Sequence, residues 1–259
     1  MNALLVDGLN LVRRIHAAVP GDPDTPEHAE GVLRSCTRSL QRALSRLSPT
    51  HALCAFDAPG ASWRHALKPD YKAKRPPMPE DLSRMMPLIQ DAFGEHAVHC
   101  VRVEGFEADD VLATIAVKIA AHHGECEILS TDKSMLSLLR PGIRVRNHFE
   151  DRDLDEAYVR QRFGVAPRQL PGYLALVGDS ASNIPGVRSV GAKTAAALIA
   201  EHDDLEAVLQ AAQEMPGRIG RMLREGAGDA RLSMRLVSLD TAVKVGINLN
   251  ECRIGEVSR

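Results

Sequence analysis

The sequence lacks the features that would place the protein outside the reducing interior of a cell. Its five cysteines are odd in number and scattered, and no Cys-x-x-Cys pair occurs, which argues against a disulfide framework and against a zinc site built on such pairs. No basic segment precedes an early apolar run, and no stretch of about 18 apolar residues exists. We therefore expect no signal peptide, no membrane partner and a cytoplasmic location.

Aromatic residues and net charge are also scarce. Aromatics make up 3% of the 259 residues, so the core has to be built mainly of leucine, valine, isoleucine and alanine. The net charge of −2 excludes a globally basic protein, and any binding to nucleic acid would need basic residues gathered locally. Nucleotide-binding P-loops of the form G-x-x-x-x-G-K-[ST] are absent, so we expect no nucleotide cofactor.

Carboxylates are crowded between Glu107 and Asp132. Glu107, Asp109 and Asp110 fall within four residues at the start of a predicted helix, and Asp132 follows a predicted buried strand at 126–129. Like charges this close disfavour ionisation unless a cation lies between them. The pattern therefore predicts a hard-cation site, most simply for Mg²⁺, which prefers oxygen ligands.

The same arrangement of a strand followed by a carboxylate occurs twice earlier in the chain. Asp7 follows an apolar run at 3–6, and Asp57 follows another at 51–56. One aspartate after one strand is usually a turn or cap residue. The repetition favours a parallel sheet, which would bring all these strand ends to one edge.

The segment 61–79 is basic, contains aromatic residues and ends in prolines. Its cations and aromatics are Trp63, Arg64, Lys68, Tyr71, Lys72, Lys74 and Arg75. Two interpretations stay open: a solvated loop, or an arch that grips phosphates beside the metal site, because cations next to aromatics suit single-stranded nucleic acid.

The chain becomes mostly helical after a predicted boundary between residues 154 and 155. Gly186 and Gly191 bracket Val-Arg-Ser-Val, and 192–194 open an alanine-rich helix. Exposed N–H groups at such a helix start can bind an anion. An ordinary corner between two helices is the alternative, but the whole pattern favours a hairpin that holds a DNA backbone without reading bases.

Taken together, the motifs resemble the bacterial 5′-nuclease family, which includes the 5′–3′ exonuclease domain of DNA polymerase I and the flap endonucleases. They are V-D-G-L-N (6–10), F-D (56–57), Y-K-A-K-R (71–75), E-A-D-D (107–110), S-T-D-K (130–133) and G-D-S-A-S-N-I-P-G-V-R-S-V-G-A-K-T-A (178–195). They occur in order over most of the chain. The likeness is strongest to the branch without a polymerase domain, the exonuclease IX type.

The resemblance implies an α/β fold: a parallel-sheet 5′-nuclease (PIN-like) core at 1–154 with a helical arch at about 61–79. An α-helical helix–three-turn–helix subdomain at 155–259 would follow. It also implies a Mg²⁺-dependent 5′-flap endonuclease that hydrolyses DNA at single-strand/double-strand junctions, binds up to two Mg²⁺ ions and one K⁺ ion, and acts as a monomer.

Site residues are carried over by position. The first metal cluster would be Asp7, Asp57, Glu107, Asp109 and Asp110, with Asp109 the best candidate for a direct ligand, and the second would include Asp132 and Asp179. Lys72 and Arg75, with Tyr71, would steer the scissile phosphate, so the catalytic set is Asp7, Asp57, Asp109, Lys72 and Arg75. Main-chain carbonyls of Leu176, Val177, Pro185, Val187 and Val190 would bind K⁺. Ser189, Val190, Gly191, Ala192, Lys193 and Thr194 would face DNA.

Two departures from the family pattern concern the second cluster. Ser134 and Ser182 stand where the family usually has carboxylates. A hydroxyl is a poor substitute for an anionic Mg²⁺ ligand, so we expect a weakened second site and reduced or narrowed cleavage. The alternatives are a DNA-junction-binding protein with little catalysis and, less favoured because of the arch and hairpin, a phosphatase or nucleotide hydrolase of an acidic α/β fold acting on small molecules.

Overall fold

The computed structural model describes residues 1–255 and is organised around a six-stranded sheet. Its strands are β1 (Asn2–Asp7), β2 (His51–Ala55), β3 (His99–Val101), β4 (Glu125–Leu129), β5 (Ile143–Asn147) and β6 (Arg152–Asp153). The strand order is β3-β2-β1-β4-β5-β6. The pairs from β3 to β5 are parallel, which confirms the predicted parallel sheet, but β6 pairs antiparallel with β5 and makes the sheet mixed.

Eleven α-helices occur within these residues. They are α1 (Gly8–Ala18), α2 (Pro26–Leu47), α3 (Trp63–Leu67), α4 (Glu80–Glu95), α5 (Ala108–Ala121), α6 (Glu156–Phe163), α7 (Leu170–Val177), α8 (Ala192–His202), α9 (Leu205–Ala211), α10 (Gly217–Glu225) and α11 (Ala227–Val237). None of the helices described has the length and apolarity that a membrane crossing needs.

The sheet has a hydrophobic core on each face, because successive side chains of a strand point to opposite sides. In β1, Leu4 and Val6 join the core formed with α1, α2 and α4. Ala3 and Leu5 join the other core, which continues through α5 into α7, α8 and α9. The helical second half therefore shares a core with the sheet. The predicted boundary at 154/155 falls between β6 and α6, and residues 256–259 of the predicted subdomain lie outside those described.

The strand order places β1 next to β4 at the centre of the sheet. The chain turns to one side after β1 and to the other after β4, so the ends of these two strands border a crevice. Asp7 ends β1, and Asp132 lies three residues past the end of β4. The fold therefore opens its central crevice between two of the predicted carboxylates.

Candidate metal centre

Asp7 is fixed where β1 passes into α1. Its carboxylate caps α1 by accepting from the Asn10 N–H at 3.1 Å, and it accepts from the Ser130 hydroxyl at 2.7 Å. Burial raises the pKa of Asp7 to about 7, against the lowering effect of these two hydrogen bonds and with the help of the negative charges of Asp132 and Asp57. The environment of Asp7 therefore disfavours its charged form unless a cation lies beside it.

Asp109 faces the same crevice from the first turn of α5. Burial, together with the charges of Asp132 and Asp7, raises its pKa well above the usual range, although Lys72 opposes this effect. Such mutual repulsion is what a divalent cation would relieve. Asp57 joins the same region from β2, because its carboxylate accepts from the Ala108 N–H at the start of α5 at 2.8 Å.

Glu107 is the point where the basic segment meets the carboxylates. Lys72 Nζ lies 2.7 Å and Arg64 Nη1 3.0 Å from its two oxygens, and the Tyr71 hydroxyl donates to it at 3.3 Å. Glu107 also caps α5 and is buried. Two cations of the segment 61–79, Arg64 and Lys72, thus pair with the negative charge of Glu107.

The second predicted cluster contains a lysine and two serines beside its two carboxylates. Lys133 Nζ lies 3.1 Å from Asp179 Oδ2, and Ser182 donates to Asp179 at 3.3 Å. Burial would raise the pKa of Asp179, but Lys133 and the local hydrogen bonds lower it below the usual value. Ser134 has a buried hydroxyl oxygen with no hydrogen-bond partner.

A single pocket is lined by residues of both predicted clusters and by the cations of the basic segment. Its charged and hydroxyl lining consists of Arg64, Tyr71, Lys72, Arg75, Glu107, Asp109, Asp132, Lys133, Ser134, Asp179 and Ser182. These charged and hydroxyl residues span 118 positions of the sequence, from Arg64 to Ser182, and the fold brings them together. Asp57 lines a neighbouring cleft together with Lys72, Arg75 and Glu107.

Asp110 does not fit the role of metal ligand that the resemblance implied. It is fully buried, and its two oxygens accept from Arg64 at 2.7 and 2.8 Å, from Trp63 Nε1 at 3.1 Å and from the Asp240 N–H at 2.9 Å. These donors leave it turned away from the pocket. Asp110 holds the basic segment and the chain after α11 against α5.

Tyr71 also has a role different from the predicted contact with DNA. Its side chain is 6% exposed and packs with Ile184 and Leu236. Its hydroxyl faces Glu107, so the ring offers no free face for a base. Arg64, which the sequence presented as one of several phosphate-gripping cations, is likewise buried at 2% exposure.

The segment 61–79 is docked on the loop after α7 by hydrogen bonds between three pairs of residues. The Lys72 N–H donates to the Ser182 carbonyl at 3.0 Å, and Arg75 Nη2 donates to the Ser182 hydroxyl at 2.7 Å. Asn183 Nδ2 donates to the Asp70 carboxylate at 2.6 Å. Ser182 therefore positions the predicted phosphate-binding residue Arg75, a role that its sequence position did not reveal.

In the predicted hairpin, the backbone at Gly178 and the backbone at Gly186 lie in close contact before α8 begins. A side chain at Gly186 (φ +66°) would come within 2.6 Å of the Gly178 nitrogen. The Leu176 carbonyl accepts from the Val187 N–H at 2.8 Å, and the Val187 carbonyl accepts from the Val190 N–H at 3.0 Å. Residues 191–193, where α8 begins, are exposed.

Sequence comparison assigns both halves of the chain to one family. The family model described as "5'-3' exonuclease, N-terminal resolvase-like domain" matches residues 2–164, and "5'-3' exonuclease, C-terminal SAM fold" matches residues 165–259. The chain belongs to the 5′-3′ exonuclease family, which confirms the resemblance seen in its motifs.

Individual relatives extend this result over nearly the whole chain. "Flap endonuclease Xni" of Cronobacter sakazakii (strain ATCC BAA-894) and its namesake of Yersinia pestis (strain Pestoides F) are each 42% identical over 256 residues, or 98% of either chain.

Solved structures confirm the fold. T5 5′-exonuclease with bound zinc has a TM-score of 0.78 at 23% identity, over 93% of this chain and 90% of that one. The catalytic core of Rad2 in complex with DNA substrate has a TM-score of 0.54 at 14% identity, over 88% and 72%. The likeness includes both the mainly parallel sheet and the helical second half.

Sequence reasoning missed two residues of this region. Ser130 bridges the ends of β1 and β4 through Asp7, and Arg64 neutralises Glu107 and Asp110. Ser130 is the first residue of the S-T-D-K motif (130–133) and directly follows β4, so its position after a strand was an available signal for its contact with Asp7. Nothing in the sequence separated Arg64 from its basic neighbours.

Proposed function

We propose that this protein is a divalent-metal-dependent nuclease that hydrolyses DNA phosphodiesters at 5′ flaps and single-strand/double-strand junctions. The observation that carries the proposal is the pocket in which Asp109 and Asp132 face Lys72 and Arg75. Carboxylates on one side and cations on the other suit a metal-bound phosphodiester. The flap-endonuclease names of the relatives and the DNA in the Rad2 structure support this substrate.

The residues present fit Mg²⁺. The donor set is carboxylate and hydroxyl oxygen, and the pKa values of Asp7 and Asp109 are raised first by burial and then by neighbouring carboxylates. Within residues 1–255, no three pocket carboxylates bring one oxygen each within 4.8 Å of one another. An ion held here would therefore keep several water ligands, as Mg²⁺ does readily. Asp109 is the proposed direct ligand, and Asp7, Asp57 and Glu107 would complete the first cluster through the waters of the ion.

Side chains of the protein itself are proposed to bind and orient the DNA phosphate. Lys72 and Arg75 bind and orient the scissile phosphate, and Ser182 holds Arg75 in place. Glu107 sets the position of Lys72 through their 2.7 Å ion pair. Metal ions bound at the carboxylates would supply an activated water and stabilise the leaving oxygen. Asp109 is half-buried, and the reduced local dielectric strengthens these charge interactions.

The second metal position is proposed to be weak. Asp132 and Asp179 are its two carboxylates, and Lys133 neutralises Asp179 at 3.1 Å. Ser134 contributes an unpartnered hydroxyl instead of an anion. These observations favour a nuclease whose activity is reduced or limited to fewer DNA substrates. They also support the second candidate, a DNA-junction-binding protein with little catalysis.

We further propose that the hairpin grips the DNA backbone with one K⁺ ion. The carbonyls of Leu176, Val177, Pro185, Val187 and Val190 are the proposed ligands, and the oxygens of Leu176 and Val187 retain a second lone pair beside their hydrogen bonds. Gly191, Ala192 and Lys193 would contact phosphates through N–H groups at the exposed start of α8, and Ser189, Thr194 and the Lys193 side chain would add polar contacts. The Val190 N–H donates to the Val187 carbonyl and is not available to DNA.

We also propose a cytoplasmic location and a monomer.

Cleavage of a 5′-labelled flap duplex in Mg²⁺ and K⁺ tests the proposal. We expect wild type to cut near the junction and Asp109→Ala to cut at least about 100-fold more slowly, because several kcal/mol of transition-state stabilisation depend on the metal. Asp91→Ala on the exposed face of α4 is the matched control and should cut normally. Tight binding of the flap by wild type without cutting would instead establish the junction-binding candidate.

Asp110→Asn distinguishes the roles of the two aspartates of the E-A-D-D motif. If Asp110 holds the segment in place and binds no metal, this variant unfolds at lower urea but keeps its Mg²⁺ requirement. A loss of cleavage as large as that of Asp109→Ala, in protein that is still folded, would restore Asp110 to the ligand set.

A further inference from the structure

Outside the carboxylate pocket, three side chains from three helices converge: His16 of α1, His28 of α2 and Asp81 of α4. One ligand atom from each lies within 4.8 Å of the other two, and this is the only such trio of histidine, cysteine or acidic residues within 1–255. His16 Nε2 lies 2.5 Å from Asp81 Oδ2. The two imidazole rings meet edge to face with centroids 5.2 Å apart.

His28 carries a buried nitrogen that the protein leaves without a hydrogen-bond partner. The residue is 3% exposed, yet its Nδ1 is buried with no hydrogen-bond partner in the described structure. A buried polar atom left unpaired costs about 1–3 kcal/mol. A metal ion beside it would satisfy a nitrogen that the protein itself leaves unsatisfied.

The cluster is built on firmly placed helix ends. Thr25 caps α2 by accepting from the His28 N–H, with Pro26 at the first helical position. Asp81 lies in the first turn of α4, and its Oδ2 is already paired with His16 Nε2.

We propose that His16, His28 and Asp81 bind a transition-metal dication such as Zn²⁺. Imidazole nitrogen and carboxylate oxygen suit this class of ion, and three protein ligands leave a position for water. The ion replaces the proton shared by His16 and Asp81, and that proton passes to solvent. Bonds of about 2.0–2.2 Å to one centre require the close His16–Asp81 pair to spread and His28 to draw nearer.

Such an ion has a structural role at the base of the basic segment. Asp81 lies two residues beyond the end of the segment 61–79, and Arg13, one helical turn before His16, donates to the carbonyls of Pro76 and Pro77 at 3.3 and 3.1 Å. The metal ties α4 to α1 and α2 at this point. The proposal is independent of the nuclease assignment.

Cobalt absorption tests the site directly in the full-length chain after treatment with EDTA. Co²⁺ reports its ligands through visible bands, and we expect wild type to give a saturable band at one equivalent. The band should be lost in His16→Gln and in His28→Gln and kept in Asp109→Ala, which impairs the carboxylate pocket. His96→Gln, on the C-terminal side of α4, is the control and should keep the band.

Zn²⁺ should also raise the thermal midpoint of wild type and Asp109→Ala but not that of His16→Gln. His16 has a partly exposed side chain (12%), so its substitution should leave a folded protein even where His28→Gln does not. A cobalt band that persists in folded His16→Gln, or no band in wild type, would overturn the proposal.

Discussion

The guanidinium of Arg64 donates to both carboxylate oxygens of Asp110, at 2.7 and 2.8 Å, where neither side chain is more than 2% exposed. The remaining guanidinium N–H groups reach Glu107 and the carbonyls of Leu236 and Ser238. One buried cation thus joins the basic segment, the start of α5 and the end of α11. Within the E-A-D-D motif, Asp109 therefore lines the pocket, whereas Asp110 belongs to this internal contact.

Arg64→Met should lower the free energy of unfolding by about 3–5 kcal/mol, because it leaves Asp110 and Glu107 buried without their shared cation. Urea unfolding of the metal-free protein measures the effect. Arg160→Met is the matched control, since Arg160 pairs with Glu156 on an exposed helix face and such pairs contribute little. Equal effects of the two substitutions would show that the Arg64 contact is not a major source of stability.

Ser134→Asp should lower the Mg²⁺ concentration needed for half-maximal cleavage by at least about tenfold, because a carboxylate adds an anionic ligand to the weak second position. Cleavage of the flap duplex across a Mg²⁺ titration is the measurement. Ser137→Asp is the control: it adds the same charge in the same 3₁₀ helix (Lys133–Leu138), outside the pocket lining. Wild-type behaviour of the Ser134→Asp/Ser182→Asp double variant at limiting Mg²⁺ would remove the idea of a weakened site.

Stability should fall as the pH drops from about 6.5 to about 4 because of His148. Burial, then the nearby cations Arg42 and Arg46, lower the pKa of His148 from 6.5 to about 4. In this range the unfolded chain binds a proton that the folded chain does not, so acid favours unfolding. Urea midpoints at several pH values measure the slope.

His148→Gln removes the titrating group, so we expect a shallower pH dependence of its urea midpoint. His123→Asn is the control for a histidine on the surface, where the residue is exposed and has a left-handed backbone (φ +57°) that asparagine tolerates. It should keep the wild-type slope. Identical slopes for wild type and His148→Gln would contradict the assignment.

Gly186→Ala should destabilise the protein by more than about 1 kcal/mol, since alanine is strained at positive φ. Its Cβ would also lie 2.6 Å from the Gly178 nitrogen and 2.7 Å from the Val177 carbonyl carbon. We expect weaker DNA binding by fluorescence anisotropy, because the hairpin has to open. Gly228→Ala in α11 has nothing within 4 Å and should preserve both stability and binding.

The sequence by itself determined where the strands lie along the chain and which of them are followed by a carboxylate. Apolar runs followed by Asp7, Asp57 and Asp132 predict a parallel sheet, because burial on both faces selects such runs and parallel strands end at one edge. The glycine pattern at 186–191 likewise predicts the tight turn before α8. These features are local in the chain, so composition and spacing record them.

Only the tertiary structure decided which charged side chain meets which. Arg64 and Lys72 belong to one basic run, yet Arg64 is buried against Asp110 and Lys72 borders the pocket. Asp109 and Asp110 are neighbours in sequence, but successive helical residues point about 100° apart, so one faces the pocket and the other the interior. His16, His28 and Asp81 converge only because α1, α2 and α4 pack on the same face of the sheet. Pairings of this kind depend on how elements pack across long stretches of chain, and no local pattern records them.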